Sequence, residues 1–231
     1  MTENYRRLIE ELAGNPYRLG RHINHDPRNR SFAVQASGVA IQSVFWMPND
    51  KTPLNQERGS CTGNAGTKCV STSPWPNNFD QAYAEKLYAD ATLIDPFPGQ
   101  YPPTDTGSDG SSVMKVLQSR GVIKSYWWGF NVDQILAGLM SGPGCFGVEW
   151  RNDMFSPDAR GRIKPTGAVA GGHEICFIAW DSDNQEFIIQ NSWGPSWGKE
   201  INGCPGCCRI RIDDLASLMA TGGDCVFPKA A

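Results

Sequence analysis

Cys61, His173 and Asn191 have the types and the order for covalent catalysis. Cys61 lies in residues 59–66 (GSCTGNAG), after a loop of turn residues and charge and before a run of small residues that stops at Pro74. Ser60 suits a helix cap, so Cys61 is expected in a first turn, where orphan N–H groups and the helix dipole favour the thiolate. A cysteine by itself is more often a buried structural residue; its partners change that reading. A thiolate nucleophile needs a base, and an imidazole base needs a neighbour to hold its ring. His173 opens the run GGHEICFIAWD (residues 171–181), and Asn191 follows a second apolar run in IIQNSWGPSWG (residues 189–198). The short polar linker between them predicts an antiparallel hairpin. Pairing Trp180 with Phe187 sets Asn191 roughly opposite Cys176, a modest register shift from His173. Trp193 is placed to shield a His–Asn hydrogen bond from water, where it is worth more.

The elements that must position these residues change character along the chain. Helices are predicted over residues 78–93, 113–120 and 132–140, the second capped by Ser111 or Ser112 and the third by Asn131. From Cys145 the period drops to two, with strands over 145–150, 173–180, 187–190 and 208–212. In the last, Cys208, Ile210 and Ile212 alternate with Arg209, Arg211 and Asp213, so one face is wet. Helices followed by antiparallel strands imply an α+β protein with its site between two lobes. The Gly/Pro-rich loop over residues 151–170 should form one cleft wall. Asp105 and Asp109, in a second Gly/Pro-rich loop, read as turn caps rather than metal ligands. Residues 4–13 have an amphipathic helical pattern. Residues 17–31 carry Arg18, Arg21, Arg28 and Arg30, with His22 and His25 expected in solvent. The plainer reading of residues 1–45 is an arm packed on the surface, and the functional one is a short inhibitory leader over the cleft.

Composition bounds the rest. The 231 residues suffice for one large domain or two lobes, and a net charge of −3 argues against a dedicated nucleic-acid binder. No apolar run is long enough to span a membrane. The charged N-terminus lacks an export signal, which points to the cytoplasm. Three of the eight cysteines fall in GCPGCC, Cys204, Cys207 and Cys208. Half a zinc site completed by Cys69 or Cys225, a disulfide, and free thiols all remain open for them.

The segments GSCTGNA, GGHEI and NSWGPSWG, in that order, resemble the papain-like cysteine peptidases, in the bacterial-type variant with Thr after the nucleophile. The resemblance covers roughly residues 53–215. It implies an α+β, two-lobe fold, with a helical lobe at about 55–140 packed on a β-barrel-like strand lobe at about 141–225. Residues 46–231 then form the peptidase domain. The implied activity is endopeptidase hydrolysis through a thioester on Cys61, with His173 as base and then acid and Asn191 orienting it. The alternatives are an inactive papain-fold binding module and an acyl or peptide transferase. The family's oxyanion donor is a Gln six residues before the nucleophile. Here Asn55 holds that spacing and Gln56 is one closer, and Gln56 is favoured for its reach. Gly59, Ser60, Gly172 and Trp193 should border the substrate, with the Gly/Ser-rich turn DTGSDGSS on the helical wall. The expected partner of a monomeric chain is a protein or peptide substrate, with an apolar pocket preference as the default. No cofactor, resident metal, nucleic acid or membrane is expected.

Overall fold

A computed structural model describes residues 15–230, so the helix expected over residues 4–13 lies outside the described residues. At the centre is α1 (Cys61–Val70), buried along its whole length. On one side it meets α2 (Gln81–Thr92) and α3 (Gly110–Ser119), and on the other the long strand β4 (Val169–Asp181). Burial on every side explains its small residues. A Cβ on Gly63 would stand 2.5 Å from the Ala84 carbonyl oxygen, and one on Gly66 would stand 2.5 Å from Val113 Cγ1. Helix propensity alone favours alanine over glycine by about 1 kcal/mol. Gly63→Ala is nevertheless expected to destabilise the protein by roughly 1–3 kcal/mol, because the opposing backbone cannot retreat. A lowered denaturation midpoint at unchanged slope is the readout.

The other helix starts follow side-chain caps. Asp80 accepts from the Tyr83 N–H, so α2 begins at Gln81, three residues later than the sequence suggested. Asp109, not Ser111 or Ser112, caps α3 by accepting from the Ser112 N–H at 2.9 Å. Asn131 caps α4 (Val132–Leu139) as expected.

The sheet runs β2 (Ser125–Gly129), β8 (Asp224–Lys229), β3 (Gly144–Arg151), β4, β5 (Glu186–Gln190), β7 (Cys204–Arg211) and β6 (Lys199–Ile201), each pair antiparallel. The short β1 (Val44–Phe45) also pairs with β4. One face packs Phe146, Val148, Phe177, Phe187 and Ile189 against α4 and α5 (Ile212–Ala220). The other sets Cys145, Cys176, Ile178 and Val226 against the helices around α1. The lobes are not separate in sequence, because β2, from within the helical half, hydrogen-bonds to β8. Two further differences concern the C-terminal third. GCPGCC is the start of β7 rather than a knuckle, and Ile212 and Asp213 open a helix rather than ending a strand.

Candidate active site

The β4–β5 hairpin positions the imidazole. Trp180 pairs with Phe187, and an irregularity at Ile178 shifts the register so that Gln190, not Asn191, faces Cys176. The shift brings His173 Nε2 to 2.9 Å from Asn191 Oδ1. The Ser192 backbone N–H donates to the same Oδ1 at 2.8 Å, which identifies that atom as the oxygen. An oxygen accepting there requires Nε2 to carry the proton. Nδ1 keeps the lone pair and, though buried, has no hydrogen-bond partner among the described residues. Trp193 stacks on the ring at 4.5 Å and Trp150 meets it edge-on at 4.9 Å.

Cys61 opens α1 with no exposed surface. Ser60 precedes it at the cap position, but its hydroxyl donates to Glu85 at 2.9 Å instead of capping the helix. The loop before it is held by Asp105, which accepts from the Gly59 N–H at 2.7 Å and from the Tyr88 hydroxyl at 2.6 Å. Burial, and then the Glu174 carboxylate, pushes the Cys61 thiol up to about 12 against the opposing backbone N–H groups of Glu174 and Thr62. Burial pushes His173 down to about 3 against its Asn191 bond. Both groups are therefore neutral in this arrangement.

The N-terminal arm packs beside these groups. Residues 17–22 run through the cleft, not over a remote surface. The N–H groups of Gly20 and Arg21 donate to the Gly172 carbonyl at 3.0 and 2.9 Å on one wall. On the other, the Ser108 N–H donates to Gly20, and the His22 N–H donates to Ser108. A Cβ on Gly172 would come within 2.1 Å of the Arg21 carbonyl oxygen, and one on Gly20 within 2.0 Å of the Gly59 carbonyl oxygen. Both glycines are required by that close approach. Tyr17 stacks on Trp193 at 4.9 Å. Of the two histidines expected in solvent, His25 is exposed, 3.1 Å from Asp224, whereas His22 is half-buried, bonding the Thr106 carbonyl and stacking on Phe97.

Gln56 is in this cleft and Asn55 is not. Gln56 Nε2 donates to the carbonyls of Arg18 at 3.1 Å and Arg58 at 2.9 Å, while its Oε1 accepts from Ser192 Oγ. Trp193 Nε1 donates to the same Arg18 carbonyl at 3.0 Å. The Asn55 side chain is exposed, its backbone N–H donates to Gln81 Oε1 at 2.8 Å, and the residue bridges to Trp193. Sequence reasoning missed Glu174 and Asp224, which hold the arm's Arg21. A signal existed for Glu174: it alternates with Cys176 and Ile178, whose apolar character marks a dry face. The eight cysteines are free and buried, and no cluster able to hold a metal ion occurs among the described residues.

The buried imidazole ties stability to pH. His173 titrates near 6.5 when unfolded and near 3 when folded, so its contribution is complete above pH 6.5 and lost as pH falls towards 3. His173→Gln should flatten that acid limb of a thermal-melt series, leaving an alkaline limb from Glu174. Burial raises the Glu174 carboxyl to about 8, with Arg21 opposing, so its contribution is lost as pH rises from about 4.5 through 8.

The helix-then-sheet architecture, with a cleft between α1 and the β4–β5 hairpin, is the papain-like fold. It is similar over 92% of this chain and 96% of the other to xylellain, a cysteine protease from Xylella fastidiosa, at a TM-score of 0.71 and 18% identity. Digestive procathepsin L 3 of Tenebrio molitor matches over 96% of this chain and 79% of its own, at a TM-score of 0.58 and 13% identity. In sequence, 82 residues are 32% identical to an uncharacterized peptidase C1-like protein of Acanthamoeba polyphaga mimivirus. That match spans 31% of this chain and 24% of the viral protein. No family model matches the chain. No helix among the described residues is long and apolar enough to cross a membrane.

Proposed function

We propose that this chain is a cysteine endopeptidase, with residues 46–231 as its catalytic domain and residues 1–45 as an arm that blocks the cleft. The observation that carries the reading is an extended segment bonded through its main chain to Gly172, next to His173, and to Ser108, and packed on Gly59, two residues before Cys61. Main-chain pairing accepts any peptide in extended form. With substrate in place of the arm, His173 Nδ1 takes the thiol proton as the Cys61 sulfur attacks the peptide carbonyl. The oxyanion is held by Gln56 Nε2 and the Cys61 backbone N–H. Collapse releases the amine, protonated by His173, and leaves a thioester. Water, deprotonated by His173, then cleaves the thioester to a carboxylic acid and the free thiol. Asn191 holds the ring, and Trp193 and Gly172 border the peptide.

Gln56→Ala is expected to lower kcat by roughly 10²–10³, while Asn55→Ala leaves it within about threefold. Equal loss in both variants would move the oxyanion donor elsewhere. The reading itself is tested by hydrolysis of a fluorogenic peptide library, analysed for the free acid product. A product in which an added amine captures the acyl group ahead of water would mark a transferase instead.

A further inference from the structure

Arg21 carries a full charge at 2% exposure, an arrangement that is costly unless a site is built to receive it. The site spans three neighbouring strands. Gly147 of β3 is the direct cross-strand partner of Glu174 on β4 and of Asp224 on β8. Direct partners project from the same face of a sheet, so two acidic side chains flank a position with no side chain. The guanidinium fills that gap: a Cβ on Gly147 would lie 2.0 Å from Arg21 Nε. Arg21 Nη2 is 2.9 Å from Asp224 Oδ1 and 3.4 Å from the Gly222 carbonyl oxygen, and Nε is 3.9 Å from Glu174 Oε2.

The fit is incomplete. Arg21 Nη1 and Glu174 Oε2 are both buried without a hydrogen-bond partner among the described residues. The pocket therefore offers acceptor capacity that this arginine does not use, and leaving it unused costs free energy. It also opens beside the nucleophile, since the preceding residue, Gly20, packs on Gly59 and the Arg21 charge acts on Cys61.

We propose that this acidic pocket is a specificity site for an arginine side chain of the peptide substrate, and that Arg21 is a tethered stand-in for it. The inference rests on the peptidase reading. It replaces the default apolar preference with a cationic one, and favours arginine over lysine because a planar fork reaches acceptors on two strands at once, the Asp224 carboxylate and the Glu174 carboxyl oxygen.

The test uses the full-length chain carrying Arg21→Ala, which empties the pocket. Tripeptidyl acyloxymethyl ketones present arginine, citrulline, leucine or glutamate in turn at each position before the electrophile, and the rate of Cys61 labelling is followed by mass spectrometry. Citrulline keeps the shape of arginine without its charge, so the pocket is probed with no further change to the protein. At one position arginine should label about 100-fold faster than citrulline or glutamate, and Asp224→Asn with Glu174→Gln should reduce the difference to a few-fold. Labelling of Cys61 at equal rates by all the probes would overturn the pocket assignment while leaving the peptidase reading intact. Labelling of Cys61 by iodoacetamide but by none of the peptidyl probes would overturn both.

Discussion

Freeing the cleft from residues 17–22 is expected to raise the reactivity of Cys61 at pH 7 by about 10²-fold or more. A thiol held at about 12 by burial is only about 10⁻⁵ thiolate at pH 7. In the intact chain, alkylation should accordingly be slow and rise about tenfold per pH unit up to pH 10. On the proposed reading the arm causes this, since it bonds Gly172 beside His173 and packs on Gly59 near Cys61. Gly20→Ala is the sharpest way to displace it, because the added methyl must overlap the Gly59 carbonyl. Arg21→Ala acts independently by removing the buried ion pairs. Both variants should label quickly with a small alkylating reagent and lose the steep pH dependence. Should Gly20→Ala label at the wild-type rate, the arm would not be what silences the thiol.

The second large effect concerns the nucleophile and its base. In the arm-released protein, Cys61→Ala or His173→Ala should each lower peptide hydrolysis by about 10⁶-fold, and the double variant should be little worse than either. In the proposed mechanism the two act as a unit, the ring accepting the proton that the sulfur gives up, so their effects should not add. Asn191→Ala should cost less, because Trp193 and Trp150 still hold the ring between them. What Asn191→Ala removes is the bond that keeps the proton on Nε2 and the lone pair on Nδ1. Its loss should therefore appear in kcat more than in KM, measured on the same fluorogenic peptide.

The parts of the molecule that sequence exposed are those set by local pattern. Residues 61, 173 and 191 sit in motifs whose neighbours fix a helix start and a hairpin, and the Trp180–Phe187 pair could be placed from the linker length. The last step in that hairpin depends on the irregularity at Ile178, which an unbroken apolar run does not advertise. Gln56 could be ranked above Asn55 by reach, but its contact with the Arg18 carbonyl depends on the arm. The arm was the hardest to read. Four arginines and two histidines suggest a solvated stretch, because charge is normally expelled from a core. Arg21 is buried only because Asp224, some 200 residues later, lies one strand from Gly147. That strand, β8, contains Pro228, which in sequence argues against a strand. The spacing of GCPGCC left half a zinc site, a disulfide and free thiols open, and pairing of β7 with β5 and β6 draws its thiols into the sheet.

The measurement closest to the central claim is labelling by a peptidyl epoxide, with mass mapping of the modified residue, on Arg21→Ala and on Arg21→Ala combined with His173→Ala. Selective modification of Cys61 in the first and its loss in the second is the predicted result, since the reagent requires both a peptide-binding cleft and an imidazole-activated sulfur. No modification of Cys61 in either protein, with adducts scattered over Cys204, Cys207 and Cys208 instead, would contradict the assignment of a cysteine peptidase.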